Sequence, residues 1–513
     1  MDRVGIRFDV RFGCDLEQWF GACGEQQRGS LPERGGRIDT RYPQPPSRHK
    51  KASPSDTLRH TCAYPGSGTL GFSGPMRRPR GRPAHDCAPS THRGVSMFYR
   101  KTVLDNGITV MSEPMEEVRS VALGIWFAVG SRDETPYEAG MSHFMEHMMF
   151  KGTPTRSAQD ISEQFDRLGA ELNAFTSKEY TCYYSRFVDE HLPTAFEILA
   201  DMVVAASLTD ESCQLEREVV IEEIARMEDA PDDHIHEVFS HALWPDHPIG
   251  LPILGSRDTV GGFDHEQSVA FRSKHYRSGN CVVAAAGRVD HEALVAMTER
   301  FLGGLASGPR SVRPVAEAAG RGKVAAIRKD TEQTHICYGV ATMNAHHPDR
   351  FPLALLDGVL GGGMSSRLFQ EIRERRGLAY AVYSFSALYQ DTGEFAVYAG
   401  TRPEKAAEVL GLIRAEMESV AAHGVTPEEL DRVRQAAKGH LVLGLESTRM
   451  RMTRLGKNET SGGEILSADE VVERFDSVTM DDLRRVSAEV LSADKVLAII
   501  GPHDEDEVAG LLQ

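Results

Sequence analysis

The second half of this chain repeats the order of elements in its first half. Residues 209–211, Thr-Asp-Glu, open a charged helix after an amphipathic one, and residues 426–429, Thr-Pro-Glu-Glu, do the same in the second half. An apolar strand that ends at Gly287 has its counterpart, at nearly the same offset, in one that ends at Gly501. A period of this length predicts a duplicated domain of roughly 200 residues or a little more.

Within the first copy, strand-like runs alternate with helical ones. Residues 101–112 have the pattern of a hairpin around an Asn106-Gly107 turn, residues 121–129 that of a buried strand, and residues 140–150 that of a helix. Such alternation predicts layered α/β packing. We therefore expect an α+β protein of two homologous α/β-layered halves, at residues 97–301 and 323–513, joined by a linker at residues 302–322 that is rich in Gly, Ala, Pro and Arg.

Residues 1–96 differ in composition from the rest of the chain. They hold 16 Lys and Arg against 9 Asp and Glu, a net charge of +7, whereas residues 97–513 carry a net charge of −24. The segment is rich in Arg, Gly, Pro and Ser and shows no sustained helical or strand period. We expect it to be disordered or to precede the true translation start. A mitochondrial transit peptide is the alternative, although such peptides are poor in the acids seen here.

Charge and apolar patterning limit the partners that we expect. A formal net charge of −17 disfavours binding to nucleic acid and to anionic membranes. No apolar run reaches about 18 residues, so we expect no membrane insertion. The eight cysteines form no Cys-x-x-Cys pair, which is typical of a reducing compartment. We expect a cytoplasmic bacterial protein, with the mitochondrial matrix as the alternative.

Two histidines and a glutamate lie within five residues, from His143 to His147. On a helix, positions i and i+4 share a face, so both histidines can direct a ring nitrogen at one metal ion. Glu146 lies close to that face and is placed to act as a base on water bound to the metal. The apolar neighbours Phe144 and Met148 favour a buried helix over the alternative, a solvated polar face. The pattern is that of the inverted zinc-protease motif.

A catalytic zinc ion usually takes three protein ligands, so a further carboxylate is required. The segment 216–223 offers several. Glu216 and Glu223 are two helical turns apart and share a face, whereas Glu222 and Glu223 are adjacent and cannot both face the metal. Helical spacing alone leaves the choice open.

The repeat is chemically asymmetric. The shift that carries Thr209 onto Thr426 also carries the three chemically active positions of the 143–147 motif onto Leu360, Gly363 and Met364. These residues do not bind zinc, so only the first half can carry this chemistry.

Together these motifs resemble those of the pitrilysin-type zinc peptidases, in particular the branch of the β subunit of mitochondrial processing peptidase and its bacterial relatives. The resemblance covers about residues 97–513 and is carried by residues 140–147, Gly-Met-Ser-His-Phe-Met-Glu-His, and 150–153, Phe-Lys-Gly-Thr. By its spacing from the second histidine, it implies a third zinc ligand at Glu223, and it implies a supporting acid at Glu216. It also implies one Zn²⁺ per chain and two halves that close as a clamshell around an extended peptide.

The resemblance further implies residues that bind the substrate. Asn173, Ala174 and Phe175 match an edge strand that pairs with the substrate backbone. A plain buried strand is the alternative. In the second half, Arg373 and Tyr380 match a pair that binds substrate and stabilises the oxyanion. For them, a solvated face is the alternative.

Two acids are candidates for a preference for basic substrates. Asp233 and Glu237 lie ten and fourteen residues past Glu223, where the processing peptidase has acids that receive an arginine near the cleavage site. A solvated acidic face is the alternative. The acidic body of the protein also favours basic peptides.

The function implied is that of a zinc metallo-endopeptidase that cuts extended peptides or presequences. One chain holds both the metal motif and the Arg373–Tyr380 pair, which implies a homodimer. A heterodimer with a homologous subunit is the alternative. A non-catalytic structural subunit and a peptide-binding module are the competing hypotheses, and the intact metal motif argues against the first of them.

Overall fold

The computed structural model describes residues 98–318 and 323–510. The predicted extension at residues 1–96 and part of the predicted linker, residues 319–322, lie outside the described residues. The predicted domain bounds therefore stay a prediction.

Six strands of the first half form one mixed sheet: β1 (Arg100–Val103), β2 (Thr109–Pro114), β3 (Ser120–Phe127), β4 (Glu171–Thr176), β5 (Thr181–Val188) and β6 (Cys281–Gly287). Their order across the sheet is β1-β2-β6-β3-β5-β4, which places β4 at an edge. The β1–β2 hairpin turns at Gly107, whose φ of 96° lies in the left-handed region, so the Asn-Gly turn signal is confirmed.

Five strands of the second half form a second mixed sheet: β7 (Val324–Arg328), β8 (Thr334–Thr342), β9 (Ala379–Leu388), β10 (Gly393–Thr401) and β11 (Val496–Gly501). Their order is β7-β11-β8-β10-β9. In both sheets the last strand of the half pairs in parallel with the first repeated strand and antiparallel with the second. The two sheets thus share one topology, with β1 as an addition to the first.

Helices cover the sheets of both halves. Those of the first half are α1 (Met141–Met148), α2 (Ala158–Arg167), α3 (Leu192–Ala205), α4 (Asp210–Asp229), α5 (Pro231–Leu243), α6 (Arg257–Gly261), α7 (His265–His275) and α8 (His291–Leu302). Those of the second half are α9 (Arg350–Leu360), α10 (Ala406–His423), α11 (Pro427–Gly444), α12 (Thr448–Ser461), α13 (Ala468–Ser477), α14 (Met480–Leu491) and α15 (Glu505–Gly510).

The repeated helix starts have the same physical cause. The hydroxyl of Thr209 accepts a hydrogen bond from the Ser212 amide at the start of α4, and Thr426 accepts one from the Glu429 amide at the start of α11. Each bond satisfies an amide that has no partner within its own helix. The fold class expected from the sequence, an α+β protein of two homologous layered halves, is confirmed.

Each half contributes one helix that packs on the sheet of the other half. The shift that carries Thr209 onto Thr426 also carries Pro231, the start of α5, onto Thr448, the start of α12, so these helices are repeat equivalents. Helix α5 packs on β8 and β11 of the second sheet, whereas α12 packs on β3 and β6 of the first. Trp126 of β3 and Leu455 of α12 are both fully buried in one apolar cluster. Each sheet therefore has one face covered by its own half and the other by the opposite half.

Among residues 98–318 and 323–510, no single helix combines the length and apolarity that crossing a membrane requires. The segments Asp189–Ala205 and Asp210–Asp229 meet that requirement only as a pair, with a bend of 99° between them.

Candidate metal centre

Helix α1 carries the histidine motif and is held at its N-terminus by a buried carboxylate. Glu134 accepts hydrogen bonds from the backbone amides of Gly140 (2.7 Å) and Ser142 (2.6 Å), which have no partner within the helix. Burial nevertheless raises the pKa of Glu134 to about 8. Gly140 has a φ of 95°, and a Cβ there would lie 2.6 Å from the Leu254 carbonyl oxygen. These contacts fix the position of α1, whose eight residues are all buried.

The predicted metal ligands lie together. The rings of His143 and His147 have centroids 4.6 Å apart. Oε2 of Glu223, on α4, lies 3.7 Å from Nε2 of His143 and 3.4 Å from Nε2 of His147. Ligands at about 2.0–2.1 Å from a tetrahedral zinc ion are about 3.4 Å from one another. The two distances to Glu223 are close to this spacing, and the three candidate ligand atoms all lie within 4.8 Å of one another.

The chemistry of these atoms also suits a metal ion. Both ring nitrogens of His143 are buried without a hydrogen-bond partner among the described residues, and Oε2 of Glu223 is buried 3.4 Å from Nε2 of His147. Leaving a buried ring nitrogen without a partner costs free energy, and coordination through Nε2 of His143 would remove that cost for this atom. Burial, followed by the positive charge of His147, lowers the pKa of His143 well below its usual value, so this ring is neutral as a metal ligand must be. Two imidazoles and one carboxylate form the ligand set of many catalytic zinc sites.

Glu216 contacts His147 at Nδ1, the ring nitrogen that does not face Glu223. Its Oε2 lies 3.0 Å from Nδ1 of His147, and its Oε1 lies 2.5 Å from Nζ of Lys151. Burial alone would lower the pKa of His147, but Glu216 and Glu223 outweigh it and raise this pKa to about 9. The Nδ1 contact leaves Nε2 of His147 facing Glu223, which is the orientation that metal binding requires.

Glu146 lies on the same helix, beside the ligands, and is 2% exposed. Its Oε2 accepts a hydrogen bond of 2.6 Å from the hydroxyl of Thr176 at the end of β4. Burial raises the pKa of Glu146 to about 7, although the nearby His147 opposes this shift. A carboxylate with a pKa near 7 is well matched to take and return a proton at neutral pH.

A surface cavity lies along α4 and includes Glu223 of the ligand cluster in its lining. Its volume is about 540 Å³, and its lining residues are Glu218, Val219, Glu222, Glu223 and Arg226 of α4.

The candidate edge strand is an edge strand of the first sheet. Asn173, Ala174 and Phe175 lie in β4, which pairs with β5 alone among the residues that the structure describes. Ala174 is buried, whereas Asn173 and Phe175 are partly exposed. The amide of Ala174 donates to Oδ1 of Asn173 at 2.8 Å.

Arg373 and Tyr380 contact each other at a separate place in the second half. The guanidinium carbon of Arg373 lies 4.7 Å from the centre of the Tyr380 ring, within range of a cation–π interaction. Tyr380 is 67% exposed and belongs to β9, the edge strand equivalent to β4. Neither Arg373 nor Tyr380 takes part in the hydrogen bonds or ion pairs of the metal cluster in the described part of the chain.

The two acids proposed to receive a basic side chain differ in their surroundings. Glu237 is 6% exposed and forms an ion pair of 3.2 Å with Lys178, which also donates to the Leu251 carbonyl at 2.6 Å. Asp233, one turn earlier on α5, is exposed. Glu237 therefore already has a cationic partner, and Asp233 is the more accessible of the two.

Three residues that support the site were not predicted from the sequence as site residues. Lys151 belongs to the Phe-Lys-Gly-Thr motif that supported the resemblance, and Thr176 directly follows Phe175, so both were close to recognised positions. Glu134 lies six residues before Gly140 and had no local signal. Its role depends on a chain reversal that only the fold shows.

Two buried histidines, a partly buried glutamate and a second glutamate beside them, held between two helices and the edge of a mixed sheet, have the composition of a metallopeptidase site. Residues 109–257 match the family model described as Insulinase (Peptidase family M16), and residues 262–437 match the model described as Peptidase M16 inactive domain. The chain belongs to peptidase family M16. The match of its later residues to an inactive domain agrees with the missing metal motif of the second half.

Proteins that are similar to this chain support its assignment as a metallopeptidase. An uncharacterised zinc protease of Streptomyces coelicolor is 43% identical over 420 residues, covering 80% of this chain and 91% of that protein. The uncharacterised zinc protease YmxG of Bacillus subtilis is 38% identical over 408 residues, covering 79% and 98%. A solved protease from Helicobacter pylori shares the fold with a TM-score of 0.74 at 24% identity, covering 78% and 99%. The finer resemblance, to the β subunit of mitochondrial processing peptidase, stays a prediction.

Proposed function

We propose that this metallopeptidase is a zinc-dependent endopeptidase that hydrolyses extended peptides, with Glu146 as its general base. The observation that carries the proposal is the convergence of His143, His147 and Glu223 beside a carboxylate whose pKa is raised to about 7. A zinc ion held by these three ligands would supply Lewis-acid chemistry, polarising the peptide carbonyl and lowering the pKa of water.

The side chains of the protein then have distinct tasks. Glu146 takes a proton from the attacking water and returns it to the nitrogen of the leaving amine. Thr176 holds the carboxylate of Glu146. The Arg373 guanidinium and the Tyr380 hydroxyl are donors of the kind that stabilise negative charge on the carbonyl oxygen, and we assign them that task once the substrate lies between the halves.

Substrate choice belongs to the same proposal. The outer edge of β4 has no neighbouring strand in the described part of the chain, so it offers backbone groups to an extended peptide, which favours binding by strand addition. A net charge of −17 and the exposed Asp233 favour peptides with basic residues near the cleavage site. Homodimeric assembly and a cytoplasmic location stay predictions.

Replacement of Glu146 by Gln tests the base without changing the ligands. We expect cleavage of basic extended peptides to fall by about 10²- to 10⁴-fold, because proton transfer is lost, while zinc content stays at one ion per chain. Glu163→Gln, which changes a partly exposed glutamate of α2, is the matched control and keeps full activity.

Removal of the metal separates the hypotheses further. Stripping zinc with a chelator abolishes cleavage in our proposal, and added zinc restores it. Unchanged cleavage by the stripped protein would rule out the mechanism. A protein that binds zinc and peptide but never cleaves would be a peptide-binding module instead.

A further inference from the structure

We infer that Lys151 is a positioning residue whose ammonium group holds Glu216 against His147 and thereby sets the affinity of the site for zinc. The inference rests on the proposed zinc site. It gives a task to the Phe-Lys-Gly-Thr motif, residues 150–153, which lies outside the ligand set.

The two oxygens of Glu216 have separate partners. Oε2 contacts Nδ1 of His147 at 3.0 Å, and Oε1 contacts Nζ of Lys151 at 2.5 Å. In the described part of the chain, these are the ion pairs of Glu216. Because each oxygen is committed to one partner, the position of Lys151 determines how the carboxylate is rotated toward the imidazole.

The charges show why Lys151 is needed. The Glu216 side chain is 4% exposed, so its negative charge requires a nearby positive one. A histidine that binds a metal through Nε2 is neutral and donates only its Nδ1–H. Once zinc is bound, Lys151 is therefore the cation that balances Glu216. Without it, the buried carboxylate would lose its charge partner and turn toward solvent.

The backbone around Lys151 is fixed by contacts on both sides. Gly152 has a φ of 106°, which favours glycine, and a Cβ there would lie 2.9 Å from the Arg156 carbonyl oxygen. The Gly152 carbonyl accepts a hydrogen bond of 3.0 Å from the amide of Ser207, two residues before the N-cap of α4. The turn is thereby tied to the approach to the helix that carries Glu216.

The next residue of the motif anchors the same turn. The Thr153 hydroxyl donates to Oδ2 of Asp201 at 2.8 Å, and Arg156 donates to the same oxygen at 2.7 Å. Asp201 lies on α3, just before that approach. Glycine and threonine of the motif thus position the lysine, and the lysine positions Glu216.

Zinc affinity, measured by competition with a chromogenic chelator, tests this role without requiring activity. We expect Lys151→Met to raise the dissociation constant for zinc about tenfold, the lower end of the range for residues that support a metal ligand. Lys151→Arg keeps a cation within reach and restores affinity to within about threefold. Lys274→Met, which removes a 53% exposed lysine, is the matched control and leaves affinity unchanged.

A double mutant separates positioning from general stability. In the Glu216→Gln background, Lys151→Met has no carboxylate to hold, so we expect less than about a twofold further loss. Wild-type affinity in Lys151→Met overturns the inference, as does an equal loss in both backgrounds. A wild-type protein that binds no zinc would overturn the proposed function itself, whereas tight binding by wild type and Lys151→Met alike overturns only the role of Lys151.

Discussion

The hydroxyl of Thr176 donates a hydrogen bond of 2.6 Å to the carboxylate of Glu146. This bond joins the last residue of the edge strand β4 to the helix that carries the histidines. The strand that we propose to pair with substrate is therefore in direct contact with the base that we propose to act on it.

Loss of this bond should affect catalysis more than binding. Thr176→Val keeps the shape of the side chain but removes the donor, and a hydrogen bond to a charged group contributes about 1.5–3 kcal/mol. We expect kcat to fall by at least about tenfold with little change in KM, measured by steady-state cleavage of a peptide. Thr176→Ser keeps the hydroxyl and most of the rate. Equal kcat values for the Val and Ser variants would show that the bond has no catalytic task.

The sequence predicted some of this site and not the rest, for a physical reason. His143, Glu146 and His147 lie within two turns of one helix, so helical periodicity alone places them together. Glu223 required the resemblance, because it lies far along the chain from His147, on another helix. Thr176 contacts Glu146 only because β4 folds against α1, and no local pattern encodes that approach.

The packing of α12 on the sheet of the first half gives a prediction about stability. Gly456 of α12 lies against the fully buried Trp126 of β3, and a Cβ at this glycine would overlap the indole ring. We expect Gly456→Ala to lower the free energy of unfolding by about 1–3 kcal/mol, seen as a lower thermal midpoint. Gly439→Ala is the matched control, because no atom lies within 4 Å of a Cβ at that position of α11. Alanine there should raise the midpoint slightly, since glycine disfavours a helix. Destabilisation of the same size by both variants would contradict the packing argument.

The sheet on which each of the helices α5 and α12 packs could not be predicted from the sequence. The repeat and the caps at Thr209 and Thr426 predicted two similar halves and where their helices begin. The period does not say which sheet a helix covers. That α5 covers the second sheet and α12 the first depends on long-range burial, as between Trp126 and Leu455.

A buried acid in the second half gives a prediction about pH. Asp357 of α9 is 4% exposed, and burial raises its pKa from 3.8 to about 7 even though Ser384 donates a hydrogen bond to it. The folded state therefore holds a proton that the unfolded state releases between these values. Stability that is present below pH 3.8 is lost as the pH rises toward 7, by about 1.4 kcal/mol per unit at most.

Thermal unfolding of the Asp357→Asn variant checks this sign. The variant cannot ionise, so we expect its midpoint to rise relative to that of the wild type as the pH is raised from about 5 to 8. Asp431→Asn, at an exposed position of α11, is the control for removing a carboxylate at the surface. A constant difference between Asp357→Asn and the wild type would place the pKa of Asp357 near its ordinary value.

Binding along β4 gives a prediction about substrate backbone. Among the described residues β4 pairs with β5 on one side, and the Ala174 amide donates to the Asn173 side chain. A peptide added as a neighbouring strand uses the amides of alternate residues, because successive amides point to opposite sides. The test is a series of peptides in which a single N-methyl group is moved along the backbone one residue at a time. We expect KM to rise about five- to tenfold when the group is at every second position, and to stay nearly unchanged when it is at the positions between them. Unmethylated peptide of the same sequence is the reference. An equal change in KM at every position, or a KM that responds only to side-chain changes, would mean that the substrate binds through its side chains and does not pair with the backbone of β4.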